Sequence, residues 1–194
     1  IEALYVLDKM KTLSNILEVA DWNGDVLSAT NNLSYYDGLL KTIDAGSPVN
    51  GNAGGITVAT GITVSNVIAI MQEQYLAIPE NILNETDVTI FCGQDVYRLY
   101  QMALVNANLF NFVSNEDTMS TKLYGTNVSI EGVNGLNGTD RIITSRASNL
   151  LIVMDGDADE DSYDLWYSKE YKTNKFEASF KRGTAVRFDD EVVE

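Results

Sequence analysis

The sequence predicts an α+β protein, with helices in the first half of the chain and strands in the second. Two patterns carry this. Apolar residues recur every three or four positions at Leu4, Leu7, Met10, Leu13 and Leu17, and again at Val64, Val67, Ile68, Met71 and Tyr75. From Phe110 onward they instead run together or alternate, as in Leu150-Leu151-Ile152-Val153-Met154 and in Tyr163, Leu165 and Tyr167. A length of 194 residues with 45% hydrophobic content suits one good-sized domain or two small ones, with a core that needs no disulfide or metal.

Each element follows from local chemistry. The first helix covers Ala3 to Val19 and ends at Trp22-Asn23-Gly24-Asp25, where Asn-Gly signals a turn. Val26 to Leu40 is polar and aromatic and closes on Asp37-Gly38-Leu39-Leu40; Ala45 to Gly61, rich in Gly, Ser, Thr and Asn, reads as a long loop. Thr63 is the expected N-cap of the second long helix, and Pro79 ends it by pushing its predecessor out of the α region. Val88 to Cys92 is a short buried strand broken by Gly93, and Val96, Leu99, Tyr100, Ala103 and Leu104 mark a third helix running to Asn108. Asn134-Gly135 and Asn137-Gly138 predict turns with positive φ. The uninterrupted run Leu150–Met154 predicts a central strand buried on both faces. Tyr163–Tyr167, Phe176–Phe180 and Val186–Phe188 predict a closing antiparallel hairpin or meander.

Composition narrows the chemistry. The chain has no histidine and one cysteine, Cys92. Histidine-based nucleophile systems, thiolate zinc sites, iron–sulfur clusters and intrachain disulfides are therefore excluded. Cys92, closing an apolar run, reads as a small core residue. Carboxylates, Lys, Tyr and hydroxyls remain, so the chain leans towards work by shape and contact. The net charge of −15 lacks the basic footprint of a sequence-specific nucleic-acid binder and repels anionic lipid. No apolar run approaches the roughly 18 residues of a membrane span, and no signal peptide opens the chain. The first residue is Ile1, which predicts a fragment or processed product.

The acid is uneven: residues 1–140 carry 5 basic and 16 acidic residues, and residues 141–194 carry 8 and 12. Within the second part, the stretch Leu165–Phe188 sets Lys169, Lys172, Lys175, Lys181, Arg182 and Arg187 against Glu170 and Glu177. This local excess of positive charge fits contact with an acidic patch on another copy, and equally a solvated strand face.

Candidate sites are few. In Asp155-Gly156-Asp157-Ala158-Asp159-Glu160-Asp161, the aspartates Asp155, Asp157 and Asp159 are the candidate ligands of a low-affinity calcium site. The EF-hand template fails, since Glu160 stands where glycine belongs and Trp166 where glutamate belongs, so a solvated acidic turn is the favoured reading. Asp21-x-Asn23-Gly24-Asp25 resembles a piece of a calcium loop but more simply caps a helix. Gly51-Asn52-Ala53-Gly54-Gly55 lacks the Lys-Ser/Thr of a P-loop and reads as a flexible loop. No carboxylate pair stands out for glycoside hydrolysis. Trp22, Trp166 and the ten tyrosines offer a sugar platform, although core and interface packing explains them more simply.

The order of these features resembles the major capsid proteins of tailed bacteriophages, the HK97-like fold, over nearly the whole chain. An amphipathic helix runs into Trp22-Asn23-Gly24-Asp25 and then Asp37-Gly38-Leu39-Leu40, which looks like the way into that family's axial domain. The helix from Val64 to Ile78-Pro79 resembles its first axial helix, and Phe91-Cys92-Gly93-Gln94-Asp95-Val96-Tyr97 the strand-to-helix step after it. Ser179-Phe180-Lys181-Arg182-Gly183-Thr184-Ala185-Val186 resembles the strands returning to the peripheral domain. The family's N-terminal arm and extended hairpin loop are missing, so the resemblance implies a truncated subunit.

The resemblance further implies residues 1–36 as peripheral helix and connection, 37–155 as axial domain and 156–194 as peripheral strands. It implies a non-enzymatic virion protein, made in the bacterial cytoplasm, that needs no cofactor. Copies would assemble into pentamers and hexamers around DNA, with portal, scaffold or decoration proteins as further partners and Lys169, Lys172, Lys181, Arg182 and Arg187 as subunit contacts. A secreted or surface module recognising carbohydrate or calcium is the alternative, and a carboxylate-based hydrolase the third class.

Overall fold

The computed structural model describes residues 2–52, 61–109, 120–154, 163–178 and 181–194. They form four α-helices, α1 (Glu2–Asn23), α2 (Leu39–Ala45), α3 (Val67–Leu76) and α4 (Gln94–Asn106). Eight strands accompany them: β1 (Val88–Gly93), β2 (Ser120–Lys122), β3 (Ser129–Val133), β4 (Ile142–Arg146), β5 (Leu150–Met154), β6 (Tyr163–Ser168), β7 (Thr173–Ala178) and β8 (Arg182–Val186). The architecture is mixed α+β, with most of the helix content ahead of most of the strands.

A four-stranded sheet in the order β2-β3-β1-β4 organises the body. β1 and β3 run parallel, with Ile90 opposite Ile130, and the chain between them includes α4. Such a crossover is what a parallel pair requires. β1 is apolar apart from Thr89, which is buried too, and strand alternation sends its apolar side chains to two different cores. Val88, Ile90 and Cys92 join Ile130 and Ile142 beneath α3 and α4, where Val67, Met71, Tyr100 and Leu104 are fully enclosed. Phe91 faces the other way and joins Ile143, Trp22, Leu39, Leu40, Ile43, Leu136 and Val192. The Trp22 and Phe91 rings lie 5.6 Å apart, tilted by 51°, which is a favoured aromatic arrangement.

Close backbone approach explains two of the sequence signals. Gly24 and Gly38, from the Asn-Gly and Asp-Gly turns, sit back to back with a 2.8 Å bond from Gly38 N–H to Gly24 O; a Cβ on either collides with backbone. Gly135 was expected at positive φ, yet only Gly138 of that pair of turns adopts it, at +70°. Gly135 is needed for space instead, because the Trp22 ring packs where its Cβ would stand.

Three further expectations change. The helix expected to be capped by Thr63 begins at Val67. Asn66 folds its side chain back to accept the Thr63 N–H at 2.7 Å, and the chain makes a turn before the helix starts. Of the expected closing hairpin or meander, the hairpin is present as β6–β7, while the last strand, β8, leaves it and pairs with β5. The largest correction concerns Leu150–Met154. β5 is not a buried central strand but half of a two-stranded antiparallel ribbon, bordered by β8 alone among the described strands. An apolar run shows that a strand seeks cover on both faces; it does not say that the same chain provides it.

Candidate functional site

The β5–β8 ribbon is fastened to the body by a polar joint. Arg182, the first residue of β8, grips Asp21 in the last turn of α1 through Nη2–Oδ2 at 2.6 Å and Nε–Oδ1 at 2.8 Å. The Tyr36 hydroxyl donates to Asp21 Oδ1 at 2.6 Å. Both ion partners are shielded, with side-chain exposures of 16% for Arg182 and 5% for Asp21. Burial, and then the Asp21 carboxylate, push the Tyr36 hydroxyl's pKa up, so it stays a donor. Thr184 Oγ1 adds a 2.7 Å bond to the Asp37 carbonyl. At the opposite end of the ribbon, Leu150 and Val186 pack on the edge of the Trp22 core. Beside the joint, Lys41 bridges Asp25 at 2.6 Å and Asp37 at 2.7 Å, holding both carboxyls below the usual range.

Beyond this joint the surface becomes apolar. Leu151, Ile152, Val153 and Met154 are exposed by 39%, 45%, 55% and 39%, so both faces of β5 are only half covered. On α1, Leu4 and Leu7 project into solvent. The β6–β7 hairpin adds exposed Trp166, Tyr167 and Tyr171. A fully buried aliphatic side chain is worth roughly 1.5–3 kcal/mol, so the four half-covered residues of β5 leave on the order of 3–6 kcal/mol to be gained by cover. That is a large driving force for association, and monomers rarely leave such a strand open.

The sequence-predicted contact residues divide. Lys169 and Lys172 are exposed in the turn joining β6 to β7, and Lys175 sits 4.7 Å from the Tyr171 ring. Lys181 is exposed, and Arg187 lies over Phe188 at 5.0 Å. Arg182 is different: its guanidinium serves the internal pair with Asp21, which makes it part of the joint. Asp155, Asp157 and Asp159 lie outside the described residues. The other calcium-like stretch is committed to protein partners: Asp21 to Arg182 and Tyr36, Asn23 to the Gly135 carbonyl, Asp25 to Lys41. Trp22 belongs to the core. Among the described residues no group of three acidic or Cys side chains is placed to hold a metal ion, and no helix is long and apolar enough to cross a membrane.

Sequence reasoning missed the joint itself. Asp21 and Arg182 are 161 positions apart, and neither stands in a pattern that names the other. It also missed a cleft of about 250 Å³ lined by Ile62, Glu73, Gln74, Asp140 and Arg141. Two of its polar groups are engaged within the protein: Arg141 with Asp44 at 2.6 Å and with Glu194, and Gln74 with the Thr144 hydroxyl at 3.0 Å. Cys92 is buried, and burial pushes its thiol up to about 12. It is an inert core residue.

No protein-family model matches the chain, and no curated protein matches it.

Proposed function

We propose that the chain is a structural subunit that works by associating with copies of itself, and specifically a capsid subunit of the HK97-like type. On this reading residues 37–155 form the axial domain, while residues 1–36, with α1, and residues 156–194, with the β6–β7 hairpin and β8, belong to the periphery. Rings of five and six copies would close into a shell around packaged DNA through head-to-tail contacts. The observation that carries the proposal is β5, an apolar strand half exposed on both faces and, among the described strands, bordered on one edge alone. Two others support it: the order of elements that resembles this family, and a charge of −15, which suits a container that does not grip its DNA. Nothing in assembly needs a proton shuttle, so a chain without histidine suits the role, and the proposed subunit is not an enzyme. The exposed lysines Lys169, Lys172 and Lys181, with Arg187, would meet acid on neighbouring copies.

Negative-stain microscopy of the purified chain at rising concentration tests this. Rings or closed particles are expected; a monodisperse monomer at every concentration contradicts the proposal. A second reading, a carbohydrate-binding module, draws on Trp166, Tyr167 and Tyr171 exposed together on one hairpin. Glycan-array binding by a monomer, lost in Trp166→Ala, would favour it over assembly.

A further inference from the structure

We propose that the cleft beside α3 binds a small aliphatic ammonium compound, with a neutral carbonyl oxygen at one end of a short chain and the cation at the other. The site shares no residue with the β5–β8 ribbon or its joint, so it does not depend on how copies of the chain associate.

One wall comes from α3. Ile70, Glu73 and Gln74 stand at the i, i+3 and i+4 spacing that shares a helical face. Ile142 of β4 and Ile62 complete an apolar lining, and Asp140, Arg141 and Glu194 supply the remaining charged groups. A cavity of about 150 Å³ holds benzene, so one of about 250 Å³ takes a chain of roughly eight non-hydrogen atoms.

Gln74 marks the deep end. It is only 5% exposed, and its Oε1 accepts the hydroxyl of fully buried Thr144 at 3.0 Å. The other end of the amide, Nε2, packs where a Cβ on Gly51 would stand, and Gly51 also lines the cleft. Nε2 has no acceptor among the described residues, yet it is not sealed from solvent, so it opens into the cleft. A shielded donor without an acceptor is costly, and a ligand oxygen relieves that cost.

Charge selects a cation for the other end. Arg141 is held by Asp44 at 2.6 Å and by Glu194, so its charge is spent within the protein. Glu73 and Asp140 add two carboxylates, and no lysine lines the cleft among the described residues. Ala53 to Thr60, the stretch between the lining residues Asn52 and Gly61, contains no charged residue. An anionic ligand is therefore repelled and an ammonium is favoured. From buried floor to exposed rim the lining runs Gln74 and Ile142, then Ile62, Ile70 and Glu73, then Asp140. The ligand's order follows as carbonyl, aliphatic stem, ammonium.

Titration of the whole chain with δ-aminovaleramide, followed by NMR, tests the site. Valeramide and pentylamine serve as the probes that lack the ammonium and the carbonyl. δ-Aminovaleramide is expected to bind with a Kd of about 1 mM or below, and each of the others at least about fivefold more weakly. The side-chain amide signal of Gln74 should move with δ-aminovaleramide. Asp140 has φ +52°, a conformation that Asn also tolerates, so Asp140→Asn should keep the melting temperature. It should weaken δ-aminovaleramide about threefold and leave valeramide unchanged. No binding of δ-aminovaleramide, equal affinity for all three probes, or a Gln74 signal that stays fixed overturns the proposal. So does an Asp140→Asn chain that binds δ-aminovaleramide as tightly as the parent. Binding by a chain that never forms particles would keep this site and remove the shell; particles from a chain that binds no probe would do the reverse.

Discussion

The body and the ribbon each contain one mainly apolar strand, and the two strands end in opposite states. These are β1, Val88-Thr89-Ile90-Phe91-Cys92, apolar apart from Thr89, and β5, Leu150-Leu151-Ile152-Val153-Met154. β1 is buried at every position because strands flank it on both edges and helices, turns and the C-terminal segment cover both faces. β5 has one neighbour among the described strands and is exposed at its last four positions. Among the described residues, every buried hydrophobic side chain lies between Ala20 and Ile143 or at Val192 and Val193. The body is therefore finished by its own chain. The ribbon and the outer part of α1 are held by a few polar bonds and await cover. A strand's composition states what it needs, and its neighbours decide where that comes from.

The largest effect should come from breaking the joint between the two regions. Asp21→Ala leaves the Arg182 guanidinium shielded without its counter-ion and should cost about 3–5 kcal/mol in urea unfolding. Asp21→Leu with Arg182→Met should recover most of that loss, because apolar groups of similar size tolerate the site. A single Asp21→Ala as stable as the parent would show that the ribbon does not depend on this pair.

Within the body, Ile130→Ala opens a cavity at a fully enclosed position opposite Ile90 and should cost about 2–5 kcal/mol by the same measurement. Alkali should act on the body next. Burial raises Cys92 from 9.0 and Tyr100 from 10.0, each to about 12. The unfolded chain loses these protons first, so the stability they hold is intact below pH 9 and is lost as the pH rises to 12. In Cys92→Ala the decline, followed by urea midpoints, should start nearer 10 than 9. The smallest effect on the monomer is expected in the ribbon: Ile152→Ser should change unfolding stability by less than about 0.5 kcal/mol. It should nevertheless weaken association, and that disparity is the signature of an uncovered strand.

Local structure was legible wherever one segment carried its own signal. The helical spacing of Leu4 to Leu17, Pro79 after α3, the run ending at Gly93 and the alternation of Leu165 and Tyr167 all mark real elements. What stayed hidden depends on distant residues. Nothing near Leu150 says that its partner is Val186, or that no second neighbour borders the strand. Nothing near Arg182 distinguishes it from Lys181, yet Arg182 is the cation that Asp21 captures, since a planar guanidinium matches a carboxylate in two bonds. Gly135 looked like a turn glycine because Asn-Gly has that chemistry, whereas its need arises from a tryptophan 113 positions earlier. In the basic stretch, Lys169, Lys172, Lys175, Lys181 and Arg187 are exposed, whereas Arg182 faces inward to Asp21.

Amide hydrogen exchange followed as a function of protein concentration tests the central claim most directly. Amides of β1, β3 and β4 should be protected equally at every concentration, because the body is complete in one copy. Amides of Leu151 to Met154 should exchange rapidly when dilute and gain protection as copies associate. Exchange in β5 that is slow and independent of concentration would contradict the account, by showing that the chain covers this strand itself.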